Sequence, residues 1–130
     1  MSWSRSKMFA LVAVSLATAA LLGGSLGMAF AGTATLTTGF NLVGGPTQGD
    51  VAPADWVACL PTTSWNAVYI WDATHQTWMH YFNTANVPKF VNASSNGGIT
   101  VIPRFSGVAL IMTQAVNNAK LKDAASQTCS

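Results

Sequence analysis

Apolar residues recur along this chain in two unlike ways. Residues 8–31 run without a single charged side chain, whereas from Thr33 onward apolar and polar positions mostly alternate in short runs. Alternation at period two marks half-buried strands, because successive side chains of a strand point to opposite faces. Thr33-Ala34-Thr35-Leu36-Thr37 predicts such a strand with Ala34 and Leu36 inward. Gly39 interrupts it, Phe40-Asn41-Leu42-Val43 resumes as a second strand, and Gly44-Gly45-Pro46 ends that one. Residues 50–60 are the best helical candidate. Asp50 or Ala52 is placed to cap, Pro53 falls in the first turn, where its missing N–H costs nothing, and Trp56, Val57 and Leu60 recur at helical spacing. The predicted helix is 53–60, closed by Pro61.

Residues 67–72 and 77–82 predict the clearest hairpin, joined by Ala73-Thr74-His75-Gln76. Symmetric pairing sets Asp72 against Thr77, Trp71 against Trp78, Ile70 against Met79, Tyr69 against His80 and Val68 against Tyr81. The hairpin then has two faces: Tyr69, Trp71, Trp78, His80 and Phe82 on one, and Val68, Ile70, Met79 and Tyr81 on the other. A single bulge would scramble this assignment. Residues 83–98 read as a connection with one helical turn at 88–91. Residues 99–102 and 107–113 read as buried strands. Asn117-Asn118 suits a turn with left-handed geometry, and residues 119–122 suit a last edge strand guarded by lysines. The whole predicts a mostly β fold of about seven short strands. It would form a small antiparallel sandwich or partly open barrel with one short helix.

The apolar run at the N-terminus follows Arg5 and Lys7 and ends in Ala29-Phe30-Ala31. A positive start, an apolar stretch and an A-x-A ending describe a secretory signal peptide over residues 1–31. The alternative is an uncleaved anchor, since residues 8–31 are long enough to span a bilayer. Cleavage would leave one β-domain over residues 32–123 and a C-terminal tail, 124–130, placing the protein in an extracytoplasmic compartment. It would also remove the charge excess. Lys89, Arg104, Lys120 and Lys122 then face Asp50, Asp55, Asp72 and Asp123, with no glutamate and no net charge. That balance argues against nucleic acid, which needs clustered cations, and against an anionic membrane surface.

Two cysteines remain after position 31. Export and even count favour a Cys59–Cys129 disulfide over two separate thiols. Asn92-Ala93-Ser94 fits a glycosylation sequon, which matters only in a eukaryotic secretory pathway.

Candidate catalytic chemistry is sparse. Gly23-Gly24-Ser25-Leu26-Gly27 matches a nucleophile pattern but falls within the leader, without the strand–turn–helix context that chemistry needs. His75 and His80 are the only histidines, five apart and on opposite strand parities, so no metal-ligand spacing arises and no cofactor is implied. Asp72 and His75 sit together at the hairpin tip, where such a pair ordinarily supports the turn.

The aromatic density is the one positive signal. Trp56, Trp65, Tyr69, Trp71, Trp78 and Tyr81 are closely spaced, and rings of this kind serve either a core or a flat binding platform. A domain this small is expected to use most of them as core. If instead the aliphatic hairpin face is core, then Tyr69, Trp71, Trp78 and His80 form a solvent-side platform.

Gly39-Phe40-Asn41-Leu42-Val43, the hairpin Val68-Tyr69-Ile70-Trp71-Asp72 with Trp78-Met79-His80-Tyr81, and Gly107-Val108-Ala109-Leu110-Ile111 together resemble a module recurrent in secreted and surface proteins of bacteria. Its usual pattern is Gly-Trp-Asn-Leu followed by Val or Ile, a tryptophan-bearing hairpin, and a late Gly-Tyr-Trp-Val strand. Here Phe40 stands for the first tryptophan and Ala109-Leu110 for the Tyr-Trp pair. The resemblance implies an all-β extracellular domain and carries no activity with it. The sequence therefore predicts a secreted, non-catalytic module that binds a glycan or cell-surface polymer. The alternatives are a small hydrolase using Asp72, His75 or His80, and a purely structural or assembly protein.

Overall fold

A computed structural model describes residues 33–129. The predicted leader, its cleavage pattern and the motif at 23–27 lie outside the described residues. The fold is mostly β, with two antiparallel sheets that form a small sandwich and do not close into a barrel. In chain order the elements are β1 (Thr33–Leu36), β2 (Gly39–Gly44), α1 (Pro53–Trp56), β3 (Trp65–Asp72), β4 (Thr77–Phe82), two 3-10 turns (Lys89–Asn92 and Ser94–Asn96), β5 (Gly107–Met112) and β6 (Val116–Lys120). One sheet has the order β2-β5-β3-β4, and the other is β1-β6.

The two sheets share a two-stranded ribbon bent at a corner. β1 runs into β2 and β5 into β6 across short breaks, and the same partners stay paired on both sides of the bend. Gly39, at φ 92°, turns one strand through a left-handed conformation that side chains disfavour. Asn41 braces that turn: its Oδ1 accepts from the Thr37 N–H, and its Nδ2 donates to the carbonyls of Thr37 and Gly39. On the other strand, the N–H groups of Thr113 and Gln114 donate to the carbonyl of buried Ser64.

Two bulges tune the ladders. Between the pairs Leu36–Val116 and Ala34–Ala119, β6 carries one more residue than β1, and Asn118 takes φ 53°. Between Trp65–Met112 and Ala67–Ile111, β3 carries one more residue than β5, so exposed Asn66 is the extra one. That insertion turns Trp65 to the inner side, where its ring stacks on Tyr81 at 6.0 Å. The hairpin β3–β4 has the register expected from symmetric pairing, from Asp72–Thr77 to Val68–Tyr81.

The core lies between the inner face of the four-stranded sheet and the layer made by β1, β6, α1 and the loops. Val43, Val68, Ile70, Val108, Leu110 and Met112 supply the sheet side. Leu36, Val51, Trp56, Leu60 and Ile102 supply the other. Burial raises the Tyr81 phenol above its ordinary value, with the nearby Asp55 charge adding to the rise.

Four expectations need correction. There are six strands among the described residues, not seven: the stretch around Ile99 and Ile102 is buried, but it is held only by the isolated bridges His80–Gly98 and Val51–Ile102. The helix is one turn, because the bonds after Trp56 tighten to three-residue spacing, Ala58 N–H to Asp55 O and Leu60 N–H to Val57 O. Asp50 does not cap it; its Oδ1 accepts from the Arg104 N–H. Asn117 and Asn118 lie within β6 as its bulge rather than in a turn, and β6 ends at Lys120.

The C-terminal end of the chain is fastened at two points, one in the tail and one just before it. Cys59 and Cys129 form a disulfide with Cα atoms 5.2 Å apart. Asp123 accepts from the N–H and hydroxyl of Thr47, at 2.5 and 2.6 Å.

Candidate binding face

A two-layer sandwich leaves the outer face of each sheet to solvent, and that face is ordinarily polar. The four-stranded sheet here breaks the rule. Parity and register place Phe40 and Leu42 of β2, Gly107, Ala109 and Ile111 of β5, Tyr69 and Trp71 of β3, and Trp78, His80 and Phe82 of β4 on its outer face. Phe40 is 65 % exposed, Leu42 50 %, Trp71 47 % and Trp78 56 %. None of these residues carries a formal charge at neutral pH with histidine neutral. Scattered exposed apolar residues are normal, but a continuous patch across four strands marks a contact surface.

The relief of the face follows from side-chain size. β5 lies between β2 and β3, and its Ala109 sits low between Leu42 of β2 and Tyr69 of β3. Phe40, Tyr69, Trp78, Ala109 and Ile111 line a shallow, open groove of about 300 Å³. The rings hold one another in place. Trp71 and Trp78 meet edge to face at 5.2 Å, and Tyr69 meets Phe82 edge to face at 6.1 Å.

The edge of the face at β4 is closed by the connection that follows it. The His80 N–H donates to Gly97 O, the Ile99 N–H donates to His80 O, and Asn92 pairs with the backbone of Phe82 through both its amide oxygen and nitrogen. This covers an edge that would otherwise invite another strand. It also assigns the sequon asparagine a structural role, since its Nδ2 already donates to Phe82 O at 2.8 Å.

The four residues singled out from sequence, Tyr69, Trp71, Trp78 and His80, therefore share one face, but their settings differ. Trp71 and Trp78 are open. Tyr69 is half-buried on the groove wall. His80 is drawn toward the covered edge, with its Nε2 at 2.7 Å from Val91 O and its ring stacked on Phe82 at 4.5 Å. The other tryptophans of the aromatic cluster, Trp56 and Trp65, are core. Sequence reasoning missed Phe40, Leu42, Ala109 and Ile111, because their approach to the hairpin depends on β5 inserting between β2 and β3. The available signal was the Phe40/Leu42 alternation, which put an apolar pair on one side of β2 while Val43 lay on the other.

The hairpin tip is built as a turn. Asp72 Oδ1 accepts from the N–H groups of Thr74 and His75, while Oδ2 lies 2.7 Å from His75 Nδ1. The His75 contact, first through its side chain, holds the Asp72 carboxyl below its ordinary value. Among the described residues there is no cluster of three or more side chains able to hold a metal ion, and no helix is long and apolar enough to cross a membrane.

The chain matches no known family model, no curated protein and no solved structure. The outer face thus stands on its geometry alone.

Proposed function

We propose that this chain is a secreted, non-catalytic module that attaches to a carbohydrate or other cell-surface polymer through the outer face of its four-stranded sheet. The observation that carries the reading is the joint exposure of Phe40, Leu42, Trp71 and Trp78 on one uncharged face. Leaving such side chains in water forgoes roughly 1.5–3 kcal/mol each relative to burial, so a sheet that groups them gains on meeting an apolar surface. The leader read from residues 1–31 and the resemblance to bacterial surface modules favour an extracytoplasmic setting. The balanced charge of the remaining chain favours neither nucleic acid nor an anionic membrane as partner.

Sedimentation with insoluble cell-envelope polymers, together with a glycan array, tests the proposal. Wild-type protein should be retained, and Trp71→Ala and Trp78→Ala should each weaken retention by about tenfold, as loss of a stacked ring would. Retention unchanged by both substitutions, or absent for the folded wild type on every polymer, would overturn it.

A further inference from the structure

We infer that the open edge of β2 pairs with β2 of a second copy of the chain, antiparallel about a two-fold axis at Asn41, to make one eight-stranded sheet. β2 and β4 are the outermost strands of the four-stranded sheet, and their edges differ. On β4 the backbone groups of His80 and Phe82 point away from β3, and all four are bonded. The His80 N–H donates to Gly97 O and the Ile99 N–H to His80 O; the Phe82 N–H donates to Asn92 Oδ1 and Asn92 Nδ2 to Phe82 O.

On β2 the bond from the Gly45 N–H to Ser106 O sets the phase of the ladder, in line with the pairs Val43–Val108 and Asn41–Leu110. Hydrogen-bonded and non-bonded pairs alternate along an antiparallel ladder, so Asn41 and Val43 bond to β5 while the backbone groups of Phe40 and Leu42 point outward. Those two N–H and two C=O groups bond to no described residue. The side chains of Phe40 and Leu42 are exposed as well. This open stretch ends at the Gly39 corner on one side and at buried Gly44 on the other.

The stretch offers two donor–acceptor pairs about 6.8 Å apart, the two-residue repeat of an extended polypeptide. A second β2 laid antiparallel, with Phe40 opposite the partner's Leu42, matches all of them. Each residue gives its N–H to its opposite and accepts one in return, four bonds in all. A two-fold axis between the two Asn41 residues generates this register, so one surface serves both partners. On the outer face it sets Phe40 beside the partner's Leu42 twice, and cross-strand pairs of ring and aliphatic side chains stabilise a sheet. Charge and composition suit an identical strand. β2 is Gly-Phe-Asn-Leu-Val-Gly, without a charged side chain to repel its own copy or a proline to block it. β6, in the two-stranded sheet, carries Lys120, and a lysine at an edge discourages pairing. The pairing leaves Trp71 and Trp78 on the far side of β5, and it stands whether or not the outer face binds a polymer.

Sedimentation velocity and amide hydrogen exchange on the protein produced from the full-length chain, over about 1 µM to 1 mM, test the inference. A dimer should form as concentration rises, and the Phe40 and Leu42 amides should gain protection with it. The His80 amide, already bonded, should be protected throughout. Phe40→Lys/Leu42→Lys sets like charges opposite each other twice and should weaken the dimer about tenfold or more. Phe40→Lys/Leu42→Glu sets opposite charges at the same two places and should recover most of that loss. A monomer at every concentration overturns the pairing. So does a dimer in which the Phe40 and Leu42 amides still exchange freely, or one that the double lysine variant leaves intact. Equal loss in the two charge variants overturns the register. A dimer lost instead in Trp71→Ala/Trp78→Ala places the contact on the sheet face and overturns the edge. The exchange measurement on the wild type needs no substitution, so a variant that fails to fold leaves the test decisive.

Discussion

Val68 and Ile70 are fully or almost fully buried, while Trp71, one residue further along β3, is half open to water, and β2 repeats the contrast in buried Val43 beside exposed Leu42. Both faces are apolar. What separates them is shape. The inner face is built of branched aliphatics that interdigitate with Leu36, Trp56 and Ile102. The outer face sets the rings of Phe40, Tyr69 and Trp78 around Ala109 and Ile111, which leaves a shallow groove that no part of the described chain fills. Hydrophobicity alone does not tell a core from a platform; the presence of a complementary layer does.

The strongest way to probe that contrast acts behind the inner face. Reducing the Cys59–Cys129 bond, or replacing it in a Cys59→Ser/Cys129→Ser variant, frees a loop of 70 residues' separation. Urea unfolding should lose about 4 kcal/mol on the chain-entropy view. The outer face should keep its binding under conditions where the variant is folded. Next in size is a matched leucine pair. Leu110→Ala empties a fully buried site and should cost about 3 kcal/mol, whereas Leu42→Ala, on the open face, should stay within about 0.5 kcal/mol. Equal losses in the two variants would dissolve the distinction between the faces.

Fluorescence sharpens the comparison at little energetic cost. Acrylamide should quench an emission component that disappears in Trp71→Phe/Trp78→Phe, while Trp56 and Trp65 stay protected. The smallest effect belongs to the hairpin tip that carries the outer face. The Asp72 carboxyl is held below its unfolded value, so its contribution is complete above the ordinary carboxylate range and is lost as pH falls through the folded value. Thermal melts of wild type and Asp72→Asn should differ slightly near neutral pH and converge in acid.

Much of this architecture is legible in local pattern. The hairpin register follows from alternation on each side of Ala73-Thr74-His75-Gln76, and the two strands flanking Gly39 follow from a glycine that breaks a regular run. Helical spacing beyond Trp56 does not make a helix, because Val57 and Leu60 satisfy that spacing equally well as buried residues of successive tight turns. Ile99 and Ile102 teach the same lesson: burial of a short apolar run does not require a strand. The site was half legible. Tyr69, Trp71, Trp78 and His80 share a face by parity alone, but which face is covered depends on pairings between residues far apart in the chain. Those pairings also bring Phe40 to the groove and Leu42 to the same face.

Asn66 gives β3 two reading frames. Counted back from Trp71, Tyr69 and Ala67 lie on the outer face, and Trp65 would fall on that side; the single extra residue shifts the count, and the indole enters the core instead. A deletion at this point would act as a frameshift does in a message, leaving each residue chemically intact while exchanging the side on which the upstream segment is read. Relatives aligned by a fixed two-residue rhythm would be misaligned upstream of Asn66. The single residue between Trp65 and Ala67 therefore sets the side on which Trp65 lies.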